Sequence, residues 1–386
     1  MPYINHMLDN IPFSVFENIV SKITKSMIPD FIPLHQGKTC YATCSETQLA
    51  DDDNFELAMH AHAPPQGISQ LKKEIIKKHG NLKDDFKEDS LIITCGATGA
   101  LKLSIETITE PGSEILICSP QWLFISGVVR SCGVNPIEVP VFLELSKNSH
   151  FDWISLLQEK VTPKTRAIYF NTPNNPTGYS LSKKQLNDLA DFAIKNDLWI
   201  LADNAYELYD YSSDGFIDIR TLKKAERLTF SIYSFSKTCI MPGFRVGYII
   251  FPFQLVDQIY KRGLYNLYSI ATPSQWGAYR ALKSPKTKLE KQREDTRKVL
   301  EIVNKELTVP YLPINGGFYA FLDLSNWRSG NVSEFNEMLI SKGVSLAPGI
   351  AFGKICESYA RLCFVAVEKK KLKKAIGIIN QVYANG

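Results

Sequence analysis

Five short polar segments, each following an apolar stretch, carry the side chains most suited to chemistry. They are Gly96-Ala97-Thr98, Gln121-Trp122, Asn175-Pro176-Thr177-Gly178, Asp203 with Tyr206, and Ser234-Phe235-Ser236-Lys237. Ala97 and Thr98 open a predicted helix directly after a strand, where free N–H groups bind anions. A neutral lysine amine is a nucleophile, and the guanidinium of Arg245, eight residues after Lys237, suits phosphate oxygens. These residue types indicate an anion site together with a reactive amine.

The elements that must position these segments follow from hydrophobic patterning. Short apolar runs predict strands at 91–95, 115–119, 166–171, 198–202, 229–234 and 246–251. Helical patterns predict helices at 97–109, 122–131, 182–195 and 254–267. Strands that alternate with helices favour an α/β fold whose parallel sheet is covered on both faces. Right-handed crossovers then place all the carboxyl ends of the strands at one edge, where ligands bind.

The pattern changes after residue 275, where a second, smaller α/β domain is predicted. Its predicted elements are a long charged helix, a strand, a helix and a strand at 284–306, 318–322, 332–342 and 361–366, before a final helix. The predicted divisions are an N-terminal segment that packs on the small domain (1–44), a large domain (45–275) and the small C-terminal domain (276–386).

Composition is that of an ordinary globular enzyme. The 386 residues are 45% apolar and 22% charged, and the net charge of +4 comes from scattered basic side chains. This scatter argues against nucleic acid or an acidic membrane as a partner. Residues 1–30 lack a basic start followed by an apolar block, and no apolar run approaches the length of a membrane span. The cytoplasm is therefore the expected location.

The cysteines do not form a recognisable metal site. Eight of them occur, at positions 40, 44, 95, 118, 132, 239, 356 and 363, and there is no C-x-x-C pair. Cys40 and Cys44 lack the second pair that a zinc site needs, and the pair His60 and His62 alone is weak evidence for a metal. We expect free thiols and no metal.

The order of the motifs resembles that of the class I/II aminotransferases, the aspartate-aminotransferase-like family of fold type I pyridoxal-5′-phosphate (PLP) enzymes. The motifs GAT, W, NNPTG, DNAY, SFSK and FRVGY occur in the family's order, and the resemblance extends from Gly37 to Arg361. It implies a mostly parallel sheet with helices on both faces, a smaller α/β domain, PLP as cofactor and a homodimer with shared active sites. The implied small-molecule partners are an amino acid and a 2-oxo acid.

The resemblance assigns a role to each residue that matches a family motif. Lys237 would carry the cofactor and move a proton at the substrate Cα. The residues that match the phosphate site are Ala97, Thr98, Ser234, Ser236 and Arg245. Trp122 would stack on the pyridine ring, and Asp203 would keep the ring nitrogen protonated through a bond worth roughly 1.5–3 kcal/mol. Asn175 and Tyr206 match two donors to the phenolic oxygen of the cofactor.

The match at the substrate side includes two departures from the family. Arg361 matches the arginine that binds the α-carboxylate, and Gly37 matches a loop glycine that closes over the substrate. The family usually has a tyrosine five residues before Gly67 that reaches the phosphate of the neighbouring subunit, and here that residue is His62. His35, just before Gly37, either faces the substrate or is a loop histidine with its hydrogen bonds satisfied.

Transamination is the function that the resemblance implies. The same constellation also supports elimination, cyclisation or oxygen-dependent oxidation of amino acids, since all of these need Lys237 and Asp203. A regulator with a fused DNA-binding module is disfavoured, because too few residues precede Gly37 for such a module. The segment 266–268, where dicarboxylate-specific members carry an arginine, has none, so an acidic substrate side chain is not expected.

Overall fold

The chain folds around a large central sheet and two smaller ones. The computed structural model describes residues 19–23, 28–43, 60–80, 88–222 and 225–386. Within these, the strands are β1 (Ile32–Pro33), β2 (Leu91–Thr94), β3 (Glu114–Cys118), β4 (Asn135–Val139), β5 (Thr165–Asn171), β6 (Trp199–Asp203), β7 (Thr229–Ser234), β8 (Gly247–Ile250), β9 (Tyr319–Asp323), β10 (Val344–Ser345), β11 (Ala347–Pro348) and β12 (Tyr359–Cys363).

The helices flank these sheets and connect their strands. Those after residue 60 are α1 (Ser69–Lys78), α2 (Gly96–Ile108), α3 (Ile125–Ser131), α4 (Val141–Lys147), α5 (Trp153–Gln158), α6 (Lys183–Lys195), α7 (Phe235–Thr238), α8 (Val256–Leu267), α9 (Thr272–Lys283), α10 (Lys286–Glu306), α11 (Val332–Ser341) and α12 (Lys369–Ala384). The start of α6 shows how local sequence sets a boundary. The Ser182 hydroxyl accepts from the Gln185 N–H, and the Gln185 side chain accepts from the Ser182 N–H.

The central sheet has seven strands in the order β2-β8-β7-β6-β5-β3-β4. Strands β5, β6 and β7 are almost wholly buried, as expected for parallel strands covered by helices on both faces. The sheet is mostly parallel, which confirms the predicted fold class. Each predicted strand of this region is found within one residue of its expected ends.

Two features of the sheet differ from the sequence-based expectation. Strand β8 runs antiparallel to both of its neighbours, so its carboxyl end does not lie at the common edge as predicted. Its amino end lies there instead, which brings Arg245 to that edge. Strand β4 was not predicted, because it is an edge strand with Pro136 and only one fully buried residue, Val139.

The C-terminal region forms a three-stranded antiparallel sheet, β11-β12-β9, packed against α10, α11 and α12. The N-terminal segment joins this region through the pairing of Ile32 with Val344, and through the Cys363 N–H, which donates to the Leu34 carbonyl at 2.9 Å. The described part of the N-terminal segment thus contacts β10 and β12. The division of the chain into domains, with its boundaries at 44/45 and 275/276, stays a prediction.

Neither a metal cluster nor a membrane span appears in the described part of the chain. No helix there is long and apolar enough to cross a membrane. No group of three or more His, Cys, Asp or Glu side chains among those residues is placed to hold a metal ion. The described cysteines are free thiols, and Cys44 lies outside the described residues.

Candidate active site

A cavity of about 180 Å³ lies at the edge of the central sheet where the carboxyl ends of the strands meet. The predicted site residues that line it are Ala97, Thr98, Trp122, Asp203, Tyr206, Ser234, Ser236, Lys237 and Arg245. They come together because each follows or ends a parallel strand of the sheet, except Arg245, which precedes the antiparallel strand β8. Asn171 and Asp203 are the last residues of β5 and β6 and pair in register, and Ser234 ends β7. The edge predicted from the sequence is thus where these residues meet.

One end of the cavity is suited to an anion. Helix α2 begins there at Gly96, next to the guanidinium of Arg245. The φ of Gly96 is +65°, which favours glycine, and a Cβ here would lie 2.7 Å from Arg245 Nη2 and displace the guanidinium. Arg245 has a left-handed backbone with φ of 54°, and its Nη1 donates to the Pro242 carbonyl at 2.9 Å. The helix start and the guanidinium together make this end positive.

The other notable charge in the cavity is the buried carboxylate of Asp203. Its Oδ2 accepts from the Tyr169 hydroxyl at 3.0 Å, and its Oδ1 accepts from the Ala205 N–H at 3.1 Å. Both donors are neutral. Burial therefore raises the pKa of Asp203 to about 6, because desolvation outweighs the two hydrogen bonds. Such a carboxylate gains from a cationic partner inside the cavity.

The raised pKa of Asp203 predicts that its ionised carboxylate lowers the folding stability of the ligand-free chain. Folding moves this pKa from 3.8 to about 6, so the folded state binds the proton more tightly, and stability falls as the pH rises between these values. Above pH 6 the charged form costs up to about 3 kcal/mol. Asp203→Asn should therefore raise the unfolding free energy of ligand-free protein at pH 8, and this gain should vanish near pH 4.

Denaturant unfolding at the two pH values measures this effect. Asp257→Asn is a matched control, since Asp257 is exposed on α8 and its removal should change stability by less than about 0.5 kcal/mol. If Asp203→Asn loses the same stability at pH 4 and at pH 8, the result contradicts the view that the ionised Asp203 carboxylate destabilises the folded chain.

Lys237 lies in the short helix α7, directly after β7. The Ser234 hydroxyl caps this helix by accepting from the Ser236 N–H at 3.1 Å. The Lys237 Nζ donates to the Gly37 carbonyl at 2.5 Å. Desolvation lowers the pKa of Lys237 to about 8, with smaller contributions from neighbouring charges. A substantial fraction of this amine is therefore neutral, and nucleophilic, near pH 8.

A second group of predicted residues surrounds Arg361. This side chain is only 2% exposed; its Nη1 donates to Asn175 Oδ1 at 2.7 Å and its Nη2 to the His35 carbonyl at 2.8 Å. The guanidinium contacts the rings of Tyr319 and Phe352, with its Cζ at 4.4 and 4.7 Å from their centroids. Its Nε has no hydrogen-bond partner in the described part of the chain. Arg361 is thus a fixed buried cation.

His35 and His62, the two histidines at positions that depart from the family, do not line the cavity. The His35 imidazole is buried and its Nδ1 shares a 2.7 Å hydrogen bond with the Ser345 hydroxyl, while the His35 carbonyl accepts from Arg361. Burial lowers the pKa of His35 to about 4, which leaves it neutral at physiological pH. His62 is exposed, does not line the cavity of its own chain, and contacts the ring edge of Tyr268.

Three residues of the site were not found by sequence reasoning. Tyr169 donates to Asp203, and the Asn171 side chain bridges the Asp203 carbonyl and the Asn175 N–H. Tyr319 contacts Arg361 and shares a 2.8 Å hydrogen bond with Tyr206. Asn171 is the last residue of β5, just as Asp203 is the last residue of β6. Its position at the carboxyl end of a predicted strand could therefore have marked it as a site residue. The two tyrosines lie within apolar strands, where they read as core residues.

Comparison with known proteins places this geometry in a family. The family model described as aminotransferase class I and II matches residues 29–379. An aromatic-amino-acid aminotransferase 2 of Thermococcus litoralis is 32% identical over 364 residues, with 92% of each chain covered. An aspartate aminotransferase of Pyrococcus abyssi is 29% identical, again over 92% of each chain. The crystal structure of an aromatic aminotransferase from Pyrococcus horikoshii superposes with a TM-score of 0.82 at 26% identity, covering 95% of this chain and 99% of that one. The chain therefore belongs to the class I and II aminotransferase family.

Proposed function

We propose that this protein binds PLP in the cavity and transfers an amino group between an amino acid and a 2-oxo acid. The observation that carries the proposal is the placement of a nucleophilic amine, Lys237, and a buried carboxylate, Asp203, in one cavity with a positive end. The family membership supports the same reaction. The relatives reported above are all named as aminotransferases, which favours transfer over elimination, cyclisation or oxidation.

The donor set of the cavity fits PLP. The start of α2, the hydroxyls of Thr98 and Ser234, and the guanidinium of Arg245 suit the phosphate. Asp203, which accepts only from neutral groups among the described residues, suits the protonated nitrogen of a pyridine ring. The half-buried ring of Trp122 forms part of the wall and suits the flat face of the cofactor.

The residues of the chain divide the work of the reaction. PLP, when bound, supplies an acceptor for the electrons left at the substrate Cα. Lys237 Nζ carries the cofactor and moves the proton at that carbon. Arg361 binds the substrate α-carboxylate, and the loop at Gly37 covers the site. Asp203 holds a proton on the ring nitrogen, while Tyr206 and Asn175 donate to the phenolic oxygen.

The lowered pKa of Lys237 predicts how the rate of cofactor attachment depends on pH. Only the neutral amine reacts, so the rate of attachment to cofactor-free protein should rise with pH through a midpoint near 8. An unperturbed lysine amine titrates at about 10.4. Stopped-flow absorbance between pH 6 and pH 11 measures the midpoint, with Nα-acetyl-lysine as the reference amine. A midpoint equal to that of the reference would contradict the desolvated environment of Lys237.

The substrate side chain that we propose is uncharged or aromatic. Segment 266–268 reads Asn-Leu-Tyr and offers no cation for a second carboxylate. The Thermococcus relative is named for aromatic amino acids, whereas the Pyrococcus abyssi relative is named for aspartate. The absence of an arginine in this segment favours the first of the two.

A homodimer with shared active sites is part of the proposal. Tyr265, Leu267 and Tyr268 are 86%, 57% and 52% exposed at the end of α8, and His62 contacts Tyr268 in the same patch. Exposed apolar patches of this kind mark protein interfaces. We propose that this face meets a second copy, and that His62 donates to the cofactor phosphate held by that copy. A fully active enzyme that sediments as a monomer at micromolar concentration would contradict the dimer.

Substitution of His62 tests its role at the phosphate. His62→Phe should weaken PLP binding by about 10- to 100-fold, the value of a hydrogen bond to a charged group. His60→Phe, two residues away and also exposed, is the matched control. Unchanged PLP dissociation in His62→Phe would rule out the phosphate role, and a changed product would instead place His62 at the substrate.

Borohydride reduction tests the proposed function at its chemical centre. Reduction of the PLP-loaded protein should fix the cofactor irreversibly to the peptide that contains Lys237, and mass spectrometry identifies that peptide. Label on a different lysine would overturn the assignment of the site.

A further inference from the structure

Tyr319 touches three parts of the site without lining the cavity itself. It lies on β9, is 1% exposed, and pairs in register with Cys363 of β12. Its hydroxyl shares a 2.8 Å hydrogen bond with the hydroxyl of Tyr206. Its ring lies under the guanidinium of Arg361, with 4.4 Å between Cζ and the ring centroid. Tyr319 thus connects a residue of the cavity wall with the buried cation next to the cavity.

The direction of the hydrogen bond between the two hydroxyls depends on what Tyr206 meets in the cavity. Either hydroxyl can donate, because burial raises the pKa of both phenols and Arg361 lowers both. When the phenolic oxygen of PLP is the acceptor in the cavity, Tyr206 donates to it and accepts from Tyr319. A hydroxyl that accepts one hydrogen bond donates a stronger one, because hydrogen bonds in a chain polarise one another.

The ring of Tyr319 also fixes the plane of Arg361. Phe352 is a second ring, with its centroid 4.7 Å from Arg361 Cζ, so two aromatic rings contact the guanidinium while Asn175 and His35 accept from its Nη atoms. Space on this side is tight. A Cβ at Gly37 would lie 2.8 Å from the Tyr319 hydroxyl and 3.5 Å from Arg361 Nη2. The loop that contacts Lys237 through the Gly37 carbonyl therefore rests directly on Tyr319.

We propose that Tyr319 is a positioning residue that acts on both halves of the site, with its hydroxyl orienting Tyr206 towards the cofactor and its ring holding Arg361 for the substrate carboxylate. The inference rests on the proposed function, because it assigns Tyr206 to the cofactor and Arg361 to the substrate. Two substitutions distinguish the hydroxyl from the ring. Tyr319→Phe removes only the hydroxyl, and Tyr319→Leu also removes the aromatic ring.

Tyr319→Phe tests the hydroxyl through a spectroscopic titration. A weaker donation from Tyr206 disfavours the deprotonated phenolic oxygen of bound PLP. The pH midpoint of the cofactor absorbance band should therefore rise by about 0.3–1 pH unit. In a Tyr206→Phe background the same substitution should cause no further shift. Tyr311→Phe is a matched control, since it removes a hydroxyl of the same region that bonds only to Asn304 in the described structure.

Tyr319→Leu tests the ring through ligand binding. The probe is 3-phenylpropionate, a monocarboxylate without an amino group. Loss of the stacked ring should weaken its binding by about 5- to 10-fold, the value of a partly desolvated cation–π contact, while Tyr319→Phe should stay within about twofold of the wild type. If Tyr319→Leu does not fold, the Tyr319→Phe titration alone decides. An unshifted midpoint in Tyr319→Phe, or an equal shift in the Tyr206→Phe background, overturns the inference.

The wild-type protein separates this inference from the proposed function. If wild-type protein forms no absorbance band with PLP, the proposed function fails. Thermal unfolding of cofactor-free protein then tests whether the two hydroxyls are energetically coupled. The variants compared are Tyr206→Phe, Tyr319→Phe and the double variant. A loss in the double variant smaller than the sum of the single losses supports the coupling, and strictly additive losses overturn it.

Discussion

Lys237→Ala should lower kcat by at least about 10⁴-fold, the largest effect expected of any single substitution in this chain. The amine serves as the attachment point of the cofactor and as the group that moves the proton, and general acid–base catalysis alone contributes about 10²–10⁴-fold. No other lysine lines the cavity, so no neighbouring amine can take over among the described residues. Steady-state turnover at saturating PLP measures the loss.

Two further variants separate the chemistry of Lys237 from its charge. Lys237→Arg keeps a cation after β7 but has no neutral amine, so it should be as inactive as the alanine variant. Lys184→Ala removes an exposed lysine of α6 that forms an ion pair with Asp188, and its activity should equal that of the wild type. More than about 1% residual turnover in Lys237→Arg, free of wild-type contamination, would contradict a covalent role for this amine.

Arg361→Ala should lower kcat/KM by about 100-fold or more, mainly through KM. Paired hydrogen bonds between a guanidinium and a carboxylate are worth roughly 3 kcal/mol, which corresponds to that factor. PLP should stay bound, because Arg361 lies outside the cavity lined by the cofactor residues. Substrate saturation curves and the absorbance of the bound cofactor give the two quantities separately.

Arg361→Lys is the matched variant for this prediction. It keeps the charge but loses both the planar fork and the contacts of the guanidinium with the rings of Tyr319 and Phe352. We expect it to recover only a small part of the lost kcat/KM. Full recovery would show that charge alone is recognised, and an unchanged kcat/KM in the alanine variant would show that Arg361 does not bind substrate.

Much of the fold could be predicted because its signals are local. The strands of the central sheet are short apolar runs bounded by polar or turn residues, and the residues that follow them, such as Asp203 and Lys237, inherit a common edge from the topology. Helix α6 begins where Ser182 and Gln185, three positions apart, form a reciprocal cap. Interactions of this kind need no knowledge of the rest of the chain.

The parts that could not be predicted depend on contacts distant in sequence. The pairing of β8 against its neighbours is antiparallel, and nothing in the composition of Gly247–Ile250 distinguishes the two directions. Tyr206 and Tyr319 are 113 residues apart, and only the fold brings their hydroxyls together. His35 likewise turns to Ser345, 310 residues away, instead of to the cavity.

Transfer of labelled nitrogen tests the central claim most directly. The PLP-loaded protein is incubated with ¹⁵N-labelled L-phenylalanine or L-aspartate and with unlabelled 2-oxoglutarate, in the presence and absence of oxygen. We predict ¹⁵N-glutamate in an amount equal to the 2-oxo acid formed from the donor, independent of oxygen and faster with phenylalanine than with aspartate. Release of ¹⁵N-ammonium without labelled glutamate would contradict the account, because it would show elimination or oxidation at the same site.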